Sequence, residues 1–228
     1  MKLTSSNDAT GAFELFAQAW QRVRGAPPTG ATVQSIAAVS QHESWFSHGR
    51  PFNPDDFINL GAIQCGKLPT KEGECPPGCK AAPDSKPNRD GSQTKYGACF
   101  KASDSFEDAA DLVVKNLTTN GREACIPFLV SGDAWGLADA MYRTRYYQGF
   151  GATDYERKVG YAKAIYAAAE KNAKNAKVDN AVTLQIPPDP AQNVPPTPEN
   201  GSDEGGGALL GVAALVTAIL AWLNHRRR

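Results

Sequence analysis

The segment TVQSIAAVSQHESW, Thr32 to Trp45, decides how the rest of the chain is read. Helical spacing places Val33, Ile36, Ala37 and Ser40 on one face, and nothing charged interrupts the run before its end. Glu43 follows Ile36 by seven residues and Val39 by four, so its carboxylate is carried onto the same apolar face. It also falls in the last turn, where the helix dipole disfavours negative charge. Lost hydration and the dipole both favour the protonated acid.

Working outward, helices alternate with loops. Thr10–Arg24 carries Phe13, Phe16, Ala17 and Trp20 at helical spacing, with Thr10 as cap, and Gly-Ala-Pro-Pro ends it. Residues 46–58 read as a loop. Asn59–Cys65 and Lys95–Lys101 read as two short strands facing each other across a Pro-, Gly- and Lys-rich insert. Ser105-Phe-Glu-Asp108 has the form of a capping box ahead of a stripe of Ala109, Leu112, Val113 and Leu117. Shorter helices follow around Cys125–Leu129 and Ala134–Tyr147. A last helix opens at Thr153-Asp-Tyr-Glu156 and runs to about Lys174, with Tyr155, Val159, Ala162, Ile165 and Tyr166 inward.

The predicted organisation is a mainly α domain with a small β-hairpin lobe over residues 1–174, and a disordered Pro-rich linker over 175–204. A transmembrane helix over 205–223 and a basic tail over 224–228 complete it. GGGALLGVAALVTAILAWL holds 19 residues without a charge, roughly 28 Å as a helix and close to the thickness of a bilayer's hydrocarbon core. Trp222 sits at its end and Arg226–Arg228 flank it, as the interfacial and positive-inside tendencies require. The N-terminal segment lacks the apolar stretch of a signal peptide. Together these point to a C-terminal single-pass anchor in a cell envelope or a virion membrane, other virion membrane proteins being candidate partners. Of 228 residues, Lys plus Arg and Asp plus Glu number 24 each, so no global charge favours nucleic acid.

Of the five cysteines, Cys65, Cys75, Cys79 and Cys99 cluster and Cys125 stands apart on a helix. The cluster fits two disulfides across the insert; a zinc site and free thiols are the alternatives, and spacing does not choose the pairing. Cys125 reads as a buried core thiol. His42, His48 and His225 have no metal-ligand partner at helical spacing, and no metal or cofactor is expected.

A carboxylic acid that keeps its proton near neutrality is what protonating a glycosidic oxygen requires, which makes Glu43 the candidate general acid. Ile36-Ala-Ala-Val-Ser-Gln-His-Glu43-Ser44, followed by Asn59-Leu-Gly-Ala-Ile-Gln64, resembles the lysozyme-like superfamily in its lytic transglycosylase and bacterial glucosaminidase branches. Tyr96-Gly-Ala-Cys-Phe-Lys-Ala-Ser-Asp-Ser-Phe-Glu-Asp108 and Tyr146-Tyr147-Gln-Gly, then Asp154-Tyr155 to Val159, are similar to later elements of the same group. The likeness spans residues 10–170, with the Gly-Ala-Ile-Gln string and the cysteine insert as departures. It implies a lysozyme-like α+β fold and cleavage of peptidoglycan between N-acetylmuramic acid and N-acetylglucosamine, in the setting of a phage that penetrates the wall. Ser44, Gln64, Tyr147 and Tyr155 are candidate saccharide contacts. A hydrolase would use a second carboxylate, Asp55 or Asp56 in the loop or Glu72 or Glu74 in the insert; a lytic transglycosylase would use the sugar's own 6-hydroxyl. A catalytically silent glycan-binding module and a tail-anchored scaffold are the competing classes.

Overall fold

In the computed structural model, which describes residues 3–44, 57–65, 75–87, 92–147, 149 and 151–190, the helices form close to their expected bounds, except that the one expected over Ala134–Tyr147 ends at Arg143. They are α1 (Ala9–Arg24), α2 (Gly30–Ser44), α3 (Phe106–Thr118), α4 (Ile126–Ser131), α5 (Ala134–Arg143) and α6 (Asp154–Ala176). A two-stranded antiparallel hairpin, β1 (Cys79–Pro87) and β2 (Gln93–Lys101), lies between α2 and α3 in sequence. The architecture is therefore mainly helical with a small sheet.

Caps account for the helix ends. Ser105 accepts from the Asp108 N–H at 3.0 Å, and Thr153 and Glu156 form a complete capping box. Asp8, rather than Thr10, caps α1, accepting from the Gly11 N–H at 3.0 Å. Its short carboxylate reaches the exposed amides of the first turn, and α1 starts before Thr10.

Helix α2 is the centre of the packing. Thr32 through Gln41 are all buried, because α6, α1, α4 and α3 surround the helix. A segment without charge from Gly30 to Gln41 tolerates burial on every side, where an ordinary amphipathic helix would strand its polar face. Phe16, Leu15 and Trp20 of α1, Val113 and Leu117 of α3, Leu137 and Met141 of α5, and Ile165 and Ala169 of α6 fill the same core.

The hairpin lobe differs in its pairing from the sequence reading. Residues 63–65 do run beside β2, with Cys65 donating to the Cys99 carbonyl and Lys101 to that of Ile63, each at 2.9 Å. The long partner of β2 is instead β1, in register from Cys79 opposite Lys101 to Pro87 opposite Gln93. Asn59, 2% exposed, organises this junction. Its Nδ2 donates to the carbonyls of Ile63 (3.0 Å) and Lys101 (2.9 Å), and its Oδ1 accepts from the amides of Gly61 and Ile63. The cysteines pair Cys65 with Cys79 and Cys75 with Cys99, which ties the 57–65 segment to β1 and the approach to β1 onto β2. This pairing replaces the zinc and free-thiol alternatives, and Cys125 is free and buried as expected.

The domain boundary moves. Residues 175–188, assigned by composition to the disordered linker, belong to the folded unit, which ends at Pro188. Helix α6 continues to Ala176 and closes on Lys177 in the left-handed region. The chain then turns back as a strap. Gln34 of α2 clasps it at both sides, donating to the Asp179 carbonyl at 2.9 Å and accepting from the Ala181 amide at 2.8 Å. Thr183 bonds the Gly132 carbonyl at 2.8 Å, and Val182 is 3% exposed. Gly132 makes this approach possible: its φ is +74°, and a Cβ there would lie 2.5 Å from the Ala181 carbonyl oxygen. The second unit, Asp189–Arg228, contains the apolar run at 205–223, which lies outside the described residues. Among the described residues no helix is long and apolar enough to cross a membrane.

Two outcomes follow from these contacts. Ending the chain at residue 176 instead of 188 removes the burial of Val182 and the Gln34 clasp, and should lower unfolding free energy by about 3 kcal/mol in a urea titration. A truncation that leaves the midpoint unchanged would show the strap to be incidental. Peptide mapping without reduction should recover Cys65 linked to Cys79 and Cys75 linked to Cys99, with Cys125 alkylated only after denaturation.

Candidate active site

Glu43 emerges, half-buried, at the C-terminal end of α2. Tyr161 of α6 donates its hydroxyl to Glu43 Oε1 across the α2–α6 contact. Tyr161 is 7% exposed and sits in a layered aromatic group. The Tyr147 ring stacks on it at 3.7 Å with 9° between planes, and His42 meets it edge-on at 5.1 Å. Tyr142 lies against Tyr147 at 5.6 Å and 60°.

The turn after α5 delivers these rings. The Arg145 amide bonds the Tyr142 carbonyl and the Tyr146 amide bonds that of Met141, while Arg145 adopts φ +56°. The chain therefore doubles back and projects Tyr146 and Tyr147 toward α2 and α6. Tyr147 is fixed by donating to the Ala138 carbonyl at 3.0 Å. Tyr146 donates to the Gly61 carbonyl at 3.4 Å, linking the site to the Asn59 junction. The Arg122 guanidinium lies 5.4 Å from the Tyr146 ring centroid and is itself held by Asn116.

Electrostatically the tyrosines are locked neutral. Burial, and then the charge of Glu43, lift the hydroxyls of Tyr161 and Tyr146 well above the ordinary phenol range. Burial and then Asp139 do the same for Tyr147. Tyr161 is thus a permanent donor to Glu43. Asp139 is committed elsewhere, at 3.0 Å from both Arg143 and Lys158.

Of the residues singled out in the sequence, the structure brings Glu43 and Tyr147 together through Tyr161. Ser44 turns away: buried, it donates to the Ser40 carbonyl at 3.1 Å and finishes the helix. Gln64 is exposed on the sheet lobe, where its backbone bridges to Phe100. Tyr155 stands on a different face of α6, its hydroxyl on the Pro187 carbonyl at 2.6 Å and its ring 5.7 Å from Trp135. Asp55, Asp56, Glu72 and Glu74 lie outside the described residues. Sequence reasoning missed Tyr161 and Tyr146. Tyr161 had a signal: it begins the stripe Tyr161, Ala162, Ile165, Ala169, Ala173 that α6 buries.

No family model and no curated protein matches the chain. Solved structures similar to it include the catalytic domain of the autolysin Auto from Listeria monocytogenes, at 12% identity over 75% of this chain and 85% of that one, with a TM-score of 0.45. A peptidoglycan hydrolase mutant from Sphingomonas sp. A1 is 21% identical over 72% and 95%, with a TM-score of 0.46. A C-terminally truncated glycoside hydrolase domain of FlgJ from Salmonella typhimurium is 20% identical over 74% and 97%, with a TM-score of 0.38.

The raised tyrosines make stability sensitive to alkali. Below pH ~10 folded and unfolded chains both hold the phenol protons, so these groups contribute no pH dependence. Above it the unfolded chain loses them first, and stability falls as pH rises. Tyr161→Phe should cost about 1–2 kcal/mol at pH 7 and make the fall between pH 10 and 11.5 shallower, as read by thermal unfolding. An unchanged slope would show that Tyr161 is not held neutral by its site.

Proposed function

We propose that this chain is an enzyme that cleaves the glycan backbone of peptidoglycan between N-acetylmuramic acid and N-acetylglucosamine, with Glu43 as general acid. The observation that carries this reading is the setting of Glu43: a carboxyl at the mouth of an otherwise uncharged, buried helix, oriented by a neutral tyrosine hydroxyl beside stacked aromatic rings. The resemblance of the Glu43-Ser44 and Asn59–Gln64 strings to the lysozyme-like superfamily supports it.

In the proposed reaction Glu43 delivers its proton to the glycosidic oxygen as the bond to the anomeric carbon breaks. Negative charge then develops on the carboxylate. The Tyr161 hydrogen bond strengthens as that charge appears, which favours the transition state over the neutral ground state. The carboxylate next takes a proton from the incoming nucleophile, water in a hydrolase or the sugar's 6-hydroxyl in a transglycosylase; the acid step is common to both. Flat tyrosine rings suit the C–H faces of a pyranose, and Tyr147, stacked on Tyr161 but less buried, is the ring that could offer one. The apolar run at 205–223 would hold the enzyme at a membrane, and a phage virion that delivers it to the wall is the setting we favour.

Glu43→Gln keeps the shape and removes the proton. It should retain the folded spectrum and melting temperature within a few degrees while lowering lysis of purified peptidoglycan by about 10³-fold or more. Lysis within threefold of the parent chain would remove Glu43 from the mechanism. A parent chain that binds the wall without cleaving it would favour the glycan-binding alternative.

A further inference from the structure

Tyr147 also lines a cleft of about 430 Å³, together with Tyr142, Arg143, Arg145 and Arg157. Its charge is unbalanced. Arg143 shares Asp139 with Lys158, at 3.0 Å each. Arg157 donates to the Gly151 carbonyl at 3.0 Å and lies 3.9 Å from Asp154, which also receives the Tyr142 hydroxyl at 2.6 Å. Of the three arginines that line the cleft, Arg143 and Arg157 thus face carboxylates, Asp139 and Asp154, and Arg145 is the one that faces neither. The Arg145 side chain is exposed and makes no hydrogen bond or ion pair among the described residues. Its backbone is held at φ +56°, a conformation in which glycine or asparagine would fit with less strain.

The aromatic walls are fixed as well. Both tyrosine hydroxyls are engaged, on Asp154 and on the Ala138 carbonyl, so the rings offer surface rather than donors. A rigid ring surface beside guanidinium forks matches a sugar that carries an oxyacid group: the pyranose lies on the ring, and the anion takes paired N–H donors. An uncharged glycan would leave Arg145 without a counter-charge. Tyr147 belongs both to this cleft and, through its 3.7 Å stack on Tyr161, to the Glu43 site.

We propose that this cleft is an anion subsite, with Arg145 as its principal contact, for an oxyacid group borne on the glycan strand that Glu43 cleaves. The shared chemistry has two sources in a cell wall, the carboxylates of peptide stems and the phosphodiesters of attached polymers. The subsite rests on the glycan-cleaving reading, and it selects charged wall material over neutral polysaccharide.

Binding separates the two ideas, because it needs no turnover. The full-length chain carrying Glu43→Gln is sedimented with purified wall sacculi in three forms: untreated, with carboxylates converted to methylamides, and stripped of phosphodiester polymers. Adding Arg145→Gln should weaken binding to untreated sacculi about tenfold, and this effect should vanish on one treated form, which names the source of the anion. Arg145→Gly should lose the same binding while its melting temperature stays level or rises, since the left-handed backbone is relaxed; a merely structural arginine would lower both. Equal weakening on all three forms, or none on any, overturns the subsite and leaves the assignment of Glu43 standing. Failure of every form to bind sacculi overturns the glycan reading and the subsite together.

Discussion

The hydrogen bond from Tyr161 to Glu43 joins the two helices on which everything else is arranged. Helix α2 is enclosed on nearly all sides and ends in a carboxylic acid; helix α6 supplies the hydroxyl that meets it. An acid brought to the edge of an apolar core needs a partner, or the helix end would have to lift toward water. Tyr161 is that partner, and its ring must be buried to reach Glu43. Burial of Tyr161 in turn requires Tyr147 to cover it, which requires the turn at Arg145 that brings the chain back after α5. The geometry of the candidate site is therefore a consequence of how the core closes.

The sheet lobe is attached to this frame at two places. Asn59 satisfies four backbone groups where the 57–65 segment meets β2, and Tyr146 reaches the same segment through the Gly61 carbonyl. A lobe built on a two-stranded hairpin has little apolar area of its own, here Ala82, Ala98 and Phe100 with Phe57 and Ala62. Covalent ties substitute for the missing core: loops of 14 and 24 residues closed by disulfides reduce the freedom of the unfolded lobe by about 3 kcal/mol each on the chain-entropy account.

What was legible in the sequence, and what was not, divides by the range of the forces involved. Helix bounds were readable because caps and stripes act within a few residues, as at Ser105 and Thr153. The position of Glu43 at the edge of the apolar core was readable because the run before it is free of charge. Strand β1 was not: CKAAPDSKP has neither alternation nor β-branched residues, and its pairing comes from β2 and from Cys79. On α6 the stripe was readable at Ala162 and Ile165, but its start was assigned to Tyr155 and Val159, so Tyr161 was missed. The strap was missed because composition gives Pro-rich segments to linkers, whereas its order comes from Gln34, 145 residues distant from Asp179. No local pattern encodes that clasp.

The fifth cysteine bears on how the other four stay paired. Exchange of a disulfide requires attack by a thiolate, and burial pushes the Cys125 thiol from 9.0 up to about 11. At any pH below about 9 its reactive fraction is roughly a hundredfold lower than that of an ordinary thiol. The helical core thus sequesters the one group in the chain able to scramble the lobe's bridges from within. Fidelity of the cross-links becomes a matter of timing: mispairing through Cys125 is open to a nascent chain only until α3, α4 and α5 have packed around it.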